Sequence, residues 1–309
     1  MNSSRFTGAA MVVAASIAFS TKAVIIKLAY RHGVDAVTLL AMRMLLAAPF
    51  FALLAFWVAR HGEGAALGPR DARAIVGLGI VGYYLASLFD FFGLQYITAA
   101  LERLVLFVYP TIVVLISAAW LGRRITSRDV FALAVTYIGV ALVFVNDLAT
   151  QEGNVVLGTL WVLLSAVCYA AYLVMSGQLV MRIGSVRLAC YAGLVSSVAV
   201  VLHFLAVRDA GILLQLPAEV WWLSLLMATV ATVFPVVMMT DGIRRIGSSH
   251  ASMLGAIRPV ATIALGAVFL GEPVTAIQVA GAVLVLVGVL AISLHRAPAK
   301  LDDRVAQAD

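Results

Sequence analysis

The sequence predicts an all-α membrane protein with ten transmembrane helices built from two inverted five-helix repeats. Three observations predict this fold: a very apolar composition, ten apolar runs of membrane-spanning length, and an internal repeat whose flanking charges reverse. Of the 309 residues, 63% are hydrophobic and only 12% are charged, and the mean hydropathy is +1.07. A soluble domain of this size could not cover its surface with so few polar residues.

Ten apolar runs are each long enough to cross about 30 Å of hydrocarbon as a helix. Short segments with Gly, Asn, Asp or basic residues separate them, as is typical of turns. The predicted spans are residues 7–29, 37–59, 73–92, 98–121, 129–146, 156–178, 187–207, 219–240, 249–270 and 274–294. The first run is too long for a signal peptide and no small-residue cleavage site clearly ends it, so we expect it to remain as a helix.

The internal repeat aligns residues 93–142 with residues 242–291, without a gap, at a constant shift of 149 positions. The landmarks of the first copy that recur in the second are Gly93, Ile97, Pro110, Ala118, Leu121, Gly122, Thr126, Gly139 and Val140. The flanking charges change sign, because Arg123-Arg124 corresponds to Glu272-Pro273. This reversal predicts that the two units enter the membrane in opposite orientations, as in secondary transporters with inverted repeats.

The basic residues predict the orientation of the whole chain. With the N-terminus inside, fourteen Lys and Arg residues fall in inner segments and three in outer segments, so both termini are expected in the cytoplasm. The same bias explains the net charge of +6 without nucleic acid as a partner. We predict a bacterial inner-membrane protein in the lipid bilayer, with repeats at 1–149 and 150–296 and a cytoplasmic tail at 297–309.

Motifs of enzymes are absent from the sequence. It contains no G-x-x-x-x-G-K-[ST] phosphate loop, no H-E-x-x-H and no G-x-S-x-G. Cys168 and Cys190 lie in apolar runs, where small core residues are expected rather than a disulfide or a metal site. We therefore predict no catalytic residue, no metal and no cofactor, and a protein that is not an enzyme.

Five ionisable residues lie inside predicted spans at one level, in the outer part of the membrane: Lys22, Arg43, Asp90, Glu102 and Arg103. Each charge costs about 2.5–3.5 kcal/mol at a helix centre, so such residues need a reason to be there. One interpretation is an outer gate of exchangeable ion pairs. The alternatives are static pairing, and long side chains that reach the interface.

Arg258 lies near the middle of the ninth span, directly before Pro259, and its repeat counterpart Tyr109 directly precedes Pro110. An axis in the membrane plane relates the two units, so Tyr109 and Arg258 are expected at similar depth, facing each other. Arg258 could bind a substrate carboxylate through two hydrogen bonds, while Tyr109 could contact an ammonium group or an aromatic side chain. Alternatively, Arg258 caps carbonyls freed by Pro259 or pairs with a buried acid such as Asp241.

The two prolines are candidate hinges, because each removes a backbone donor in mid-helix; passive kinking is the alternative. A stripe on the sixth span, which is either helix packing or a binding wall, consists of Trp161, Cys168, Tyr172 and Met175. Tyr172 is a further substrate-binding candidate together with Lys22. Small residues along the fifth and tenth spans could pack the two units together or support a homodimer.

Motifs in both halves carry a resemblance to a known family. They are Ala99-Ala100-Leu101-Glu102-Arg103-Leu104-Val105-Leu106-Phe107-Val108-Tyr109-Pro110, Leu121-Gly122-Arg123, Gly139-Val140, Pro259, Leu270-Gly271-Glu272, and Gly281 with Gly288-Val289. Over residues 7–294 the chain resembles the EamA family of the drug/metabolite transporter superfamily. The charged Glu102-Arg103 pair departs from the small polar residues that are common there in the family.

The resemblance implies a bundle in which helices 1–4 and 6–9 surround a central cavity, with helices 5 and 10 peripheral. It also implies export of amino acids and related small metabolites without ATP. We therefore expect a secondary transporter that exports small metabolites, most simply neutral or aromatic amino acids. The alternatives are an importer or exchanger of another metabolite, such as a nucleotide-linked or phosphorylated compound, and a membrane scaffold or sensor without transport.

Overall fold

The computed structural model describes residues 3–61, 67–121, 126–151 and 153–295. The predicted tail at 297–309 and the basic linker Arg123-Arg124 lie outside this part of the chain. Within it, helices follow one another along the whole length and no β-strand occurs. The predicted all-α fold class is confirmed.

Ten helical units, α1 to α10, make up the fold, and several contain a break or a π-helical segment. They are α1 (Ser3–Tyr30), α2 (Ala36–His61), α3 (Pro69–Leu78, π-helical Gly79–Leu85, Ala86–Gly93), α4 (Ala99–Leu106, Tyr109–Leu121), α5 (Ser127–Thr150), α6 (Val155–Ile183), α7 (Ser185–Val207), α8 (Ala218–Ala228, π-helical Thr229–Val233, Phe234–Ile246), α9 (Ser248–Gly255, Arg258–Leu265, π-helical Gly266–Leu270) and α10 (Ala276–His295), with a short helix Ile212–Gln215 before α8.

Nine of these units, α1 to α9, are long and apolar enough in their described residues to cross a membrane. The chain is therefore a multi-pass helical membrane protein. The apolar stretch of α10 is described only over Ala276–Ala291, which is shorter, so a tenth span remains a prediction. The predicted end of α8 at residue 240 is too early, because the helix continues to Ile246 and Gly247 ends it with a positive φ of 81°.

Polar caps fix the helix starts that lie near the buried charges. Thr98 accepts a hydrogen bond from the Leu101 N–H (3.1 Å), and its hydroxyl donates to Asp147 of α5 (2.6 Å), which fixes the first turn of α4. Asp35 caps α2, where its carboxylate accepts hydrogen bonds from the Val37 N–H (3.0 Å) and the Thr38 N–H (3.2 Å). Although burial raises the pKa of Asp35, hydrogen bonds from Thr38 and the charge of Arg208 outweigh it, so this pKa lies below its ordinary value.

Two of the predicted uninterrupted spans are broken in mid-membrane, which corrects the ranges 98–121 and 249–270. The break in α4 falls at Phe107 and Val108, and the break in α9 falls at Ala256 and Ile257. Each break lies just before a proline, Pro110 in α4 and Pro259 in α9, and these two prolines occupy corresponding positions of the repeat. Because proline supplies no N–H and its ring crowds the preceding turn, the helix cannot run on regularly there.

The main helix contacts are the same when the two halves are exchanged. Each of the helices α1 to α5 corresponds to the helix five places later. The contact of α1 with α8 then matches that of α6 with α3, and the contact of α3 with α7 matches that of α8 with α2. The contact of α4 with α6 likewise matches that of α9 with α1. The remaining main contacts are α2 with α7, α4 with α9 and α5 with α10, and each of them joins a helix to its own counterpart in the other half. The large apolar side chains exposed around this bundle face the position of the lipid, as expected for a membrane protein.

Glycines allow the closest helix approaches, and they do so in matching pairs. A Cβ on Gly93 of α3 would lie 2.9 Å from the Gly158 carbonyl oxygen of α6, and one on Gly242 of α8 would lie 3.0 Å from the Gly8 carbonyl oxygen of α1. A Cβ on Gly139 would likewise meet the Gly281 carbonyl at 2.6 Å, where α5 packs on α10. The small residues of α5 and α10 thus pack the two halves together within one chain, and the homodimer stays an untested prediction.

Candidate functional site

Three of the predicted charged residues meet in one buried ionic cluster. Lys22 of α1 donates to Asp90 at the end of α3 (Nζ to Oδ2, 2.6 Å), and its Nζ lies 3.6 Å from Glu102 Oε1 of α4. The side chains of Asp90 and Glu102 are 2% and 0% exposed, whereas Lys22 keeps 18% exposure. The cluster therefore joins three helices of the first half and touches water only through Lys22.

Arg103 extends this cluster toward the second half. Its Nε lies 3.8 Å from Glu102 Oε2 and donates to the Thr262 hydroxyl of α9 at 3.1 Å, while Nη2 donates to the Phe19 carbonyl of α1 at 3.4 Å. Both Lys22 and Arg103 thus turn inward to these partners rather than reaching for the interface. The neighbours Glu102 and Arg103 point to different sides of α4 and still bind each other.

Arg43 lies beside the cluster without forming an ion pair within the described residues. Its Nε donates to the Thr232 hydroxyl (3.2 Å), which lies in the π-helical segment of α8, and its guanidinium sits 5.7 Å from the ring centroid of Phe91. It interacts electrostatically with Asp90. The structure therefore brings all five predicted charges to one region but makes direct pairs among only four.

Arg258 has a different environment, with aromatic rings in place of carboxylates. Its guanidinium lies 4.9 Å from the ring centroid of Phe19, and it interacts electrostatically with Tyr109, Tyr169 and Arg103. Its Nε is buried and has no hydrogen-bond partner among the described residues. The alternative of a pair with Asp241 is wrong, because Asp241 binds Arg245, four residues further along α8, at 2.8 Å.

The tyrosine rings form a connected series from α4 through α6 to α3. Tyr109 contacts Tyr169 edge to face with centroids 5.1 Å apart, Tyr169 stacks on Tyr172 at 6.1 Å, and Tyr172 meets Tyr83 edge to face at 5.4 Å. Tyr172 is largely buried, and Gly82 in the π-helical segment of α3 makes room for its ring.

The predicted aromatic stripe on α6 does not form one wall. Trp161 stacks on Phe89 and Met175 is exposed, so these residues face different surroundings from Tyr172. Tyr169, which was not among the predicted binding residues, contacts Tyr109 and interacts electrostatically with Arg258.

A second set of contacts, which sequence reasoning missed, closes the predicted outer end of the bundle. Glu272 follows α9, where Gly271 turns the chain with a positive φ of 71°, and it accepts from the Ala99 N–H that begins α4 (3.0 Å). Lys27 of α1 lies 3.5 Å from Glu272 and donates to the Ile97 carbonyl at 2.7 Å.

Arg31 adds a bond from the end of α1 to the Leu270 carbonyl of α9 at 2.6 Å. We call these contacts of Lys27, Arg31 and Glu272 the outer latch. The signal for it in the sequence was the acidic Glu272 opposite the basic end of the first span.

These features define a polytopic helical membrane protein with charged and aromatic side chains gathered in mid-bundle, which is the composition of a transporter rather than of a passive membrane anchor. A family model described as the EamA-like transporter family matches the chain twice, over residues 6–145 and 156–294. The chain belongs to this family, and membrane transport is its function at that level of detail.

Relatives and a solved structure agree with this assignment. The chain is 33% identical over 277 residues to the uncharacterized transporter YcbK of Bacillus subtilis strain 168, covering 89% of this chain and 88% of the relative. An uncharacterized transporter of Archaeoglobus fulgidus is 23% identical over 283 residues, covering 92% and 95% of the two chains. A crystal structure with 19% identity superposes with a TM-score of 0.63 over 93% of this chain and 96% of that chain, which supports the fold.

Proposed function

We propose that this protein exports small amphipathic metabolites, most simply neutral or aromatic amino acids, by alternating access through a central cavity. The observation that carries the proposal is Arg258: a guanidinium in mid-bundle, beside tyrosines, with an unused buried donor and no carboxylate partner in the described residues. A buried cation without a counter-ion is costly, so a bound anionic group would stabilise it.

Backbone geometry supports an anionic group at the same place. The breaks in α4 and α9 begin new helix segments at Tyr109 and Arg258, and the two residues lie within electrostatic range of each other. Helix N-termini carry partial positive charge, and discontinuous helices present them to anionic substrate groups in many transporters. A substrate carboxylate would accept two hydrogen bonds from Arg258, and Tyr109 and Tyr169 would offer ring faces to the rest of the substrate.

Alternating access needs two conformations, and the repeat supplies the parts for them. The helix contacts that survive exchange of the halves, and the matched breaks before Pro110 and Pro259, support two inverted units that move against each other. In this proposal the two prolines are hinges, the outer latch closes the outer end, and Lys22, Arg43, Asp90, Glu102 and Arg103 rearrange when it opens.

A second candidate is an importer or exchanger of a phosphorylated or nucleotide-linked compound. One observation favours it: Arg103 and Arg258 both contact Phe19, so two guanidinium groups lie close together. Glu102 already offsets the charge of Arg103, however, so of these two guanidinium groups only Arg258 lacks an acidic partner in the described residues. One free guanidinium matches a carboxylate better than a phosphate group with two negative charges.

The experiment is transport by proteoliposomes that contain only this chain. Vesicles loaded with a labelled amino acid are diluted into medium with or without the same unlabelled compound, and the panel includes aromatic, aliphatic and phosphorylated substrates. We expect exchange of aromatic or aliphatic amino acids, measured as accelerated loss of label. Exchange of phosphorylated compounds alone would support the second candidate, and no exchange of any member would support a scaffold or sensor.

A further inference from the structure

We propose that Glu102 is a proton-binding site, and that a proton bound there crosses the membrane together with the substrate. The inference rests on the proposed transport function and adds the coupling ion to it. Because the proton leaves together with the substrate, export is driven by the outward gradient of the substrate itself. It concerns a carboxyl group that the substrate site centred on Arg258 does not use.

Glu102 is held without the hydrogen bonds that a buried carboxylate needs. Its side chain is fully buried, and neither Oε1 nor Oε2 accepts a hydrogen bond from any residue that the structure describes. Its two cationic neighbours are at 3.6 Å and 3.8 Å, whereas Asp90 takes the short contact with Lys22 at 2.6 Å. A buried charge with such incomplete partners is unstable as an anion, and one proton would neutralise it.

The adjacent carboxylate strengthens this argument. Asp90 Oδ1 also lacks a hydrogen-bond donor within the described chain, and Asp90 and Glu102 interact electrostatically. Two neighbouring carboxylates repel each other, and a single proton held by the pair removes that repulsion. The site therefore has a place for one proton.

The surrounding charges exclude a metal cation as the ligand. Lys22 of α1 and Arg103 of α4 pair with Glu102, and Arg43 of α2 interacts electrostatically with Asp90. From α9, the Thr262 hydroxyl binds Arg103, and the charge of Arg258 lies within electrostatic range of it. A sodium or calcium ion needs several oxygen ligands and is repelled by these cations.

Protonation of Glu102 changes the charge offered to the substrate. The ionised carboxylate offsets Arg103, whereas the protonated one leaves Arg103 without an acidic partner, within electrostatic range of Arg258. The substrate carboxylate and Glu102 thus compete for the same positive charge. The proton therefore favours substrate binding, and the two cross together: Glu102 takes one proton from water on the side that is open and returns it to water on the other side.

The test uses the full chain in proteoliposomes with the membrane potential clamped at zero. Exchange of labelled for unlabelled substrate at equal pH first establishes transport, independently of any proton. A gradient of one pH unit is then imposed, and one-to-one coupling predicts about tenfold substrate accumulation on the alkaline side. We also expect substrate efflux to alkalinise the vesicle interior, read by a trapped pH-sensitive dye.

Variants assign the effect to Glu102. Glu102→Gln should exchange substrate more slowly and lose accumulation, with a ratio near one, whereas Glu102→Asp should keep it. The matched control is Glu219→Gln, which removes an exposed carboxylate at the start of α8 and should behave as the parent. If Glu102→Gln does not insert, the double variant Glu102→Gln/Arg103→Gln strands no charge and carries the same expectation.

The outcomes separate the two proposals. Exchange by the parent without pH-driven accumulation, accumulation driven by sodium instead, or full accumulation by Glu102→Gln would each overturn the proton site and leave transport intact. Absence of exchange with every substrate would overturn the proposed function itself.

Discussion

At the scale of single residues, different surroundings give Glu102 and Arg258 different roles. Glu102 lies among cations that do not come within hydrogen-bonding distance, so a proton or a closer partner would stabilise it. Arg258 lies among aromatic rings, so a bound anion would stabilise its guanidinium group. The two are joined through Arg103, which touches the carboxylate of one and lies in the field of the other.

We expect Arg258→Lys to insert and fold while binding amino acids about tenfold more weakly. Lysine keeps the charge but gives up the planar pair of donors, and a charge-assisted hydrogen bond contributes about 1.5–3 kcal/mol. Calorimetry on detergent-purified protein measures this, with the amino acid methyl ester as the comparison ligand. The parent should discriminate against the ester, and the variant should discriminate much less. Equal binding of acid and ester by the parent would mean that Arg258 does not bind the carboxylate.

The sequence could predict the depth of these residues but only part of their partners. Counting about 1.5 Å per residue places Lys22, Asp90 and Glu102 at one level. Helix rotation decides which of these residues pair, and it also decides that Asp241 binds Arg245 rather than Arg258. A single sequence does not fix this rotation. The contact of Lys27 with Glu272 of the other half depends on helix rotation in the same way.

At the scale of elements, the irregular helix segments occur in matched positions of the two halves. Breaks occur before Pro110 in α4 and Pro259 in α9, and π-helical segments occur in α3 and α8; the further π-helical segment at the end of α9, Gly266–Leu270, has no counterpart in α4. The apolar runs predicted the helices well, because hydrophobic length alone sets a span. They could not reveal the π-helical segments, since an extra residue in one turn leaves the apolar pattern almost unchanged.

We expect Pro110→Ala and Pro259→Ala each to slow substrate exchange about tenfold while leaving the protein folded. Alanine restores an N–H and lets the helix close, which removes both the hinge and the free helix start. Initial rates of exchange in proteoliposomes provide the measurement. Pro49→Ala is the matched control, because Pro49 lies exposed within α2 and has no counterpart in the repeat. Parent-like rates in both hinge variants would leave the prolines as passive kinks.

At the scale of the whole molecule, the central claim is that two related halves lie inverted around one site. The contacts that persist when the halves are exchanged, and the paired glycine approaches of Gly93 with Gly158 and Gly242 with Gly8, agree with it. The two halves differ in sequence at the ionic cluster. The positions that correspond to Glu102 and Arg103 are Ala251 and Ser252, so the ionic cluster belongs to the first half alone.

The most direct test of this claim is the location of equivalent loops in the two halves, read by a fused reporter enzyme that is active only outside the cytoplasm. The linker at Gly64 and the linker at Ala210 follow corresponding helices, so inversion requires opposite results. We predict activity for fusions after Ala210 and Asn154, and no activity after Gly64, Gly184 or Ser248, because basic residues hold those segments inside. The same result after Gly64 and Ala210, or activity after Gly64 with silence after Asn154, would contradict the inverted arrangement or its orientation.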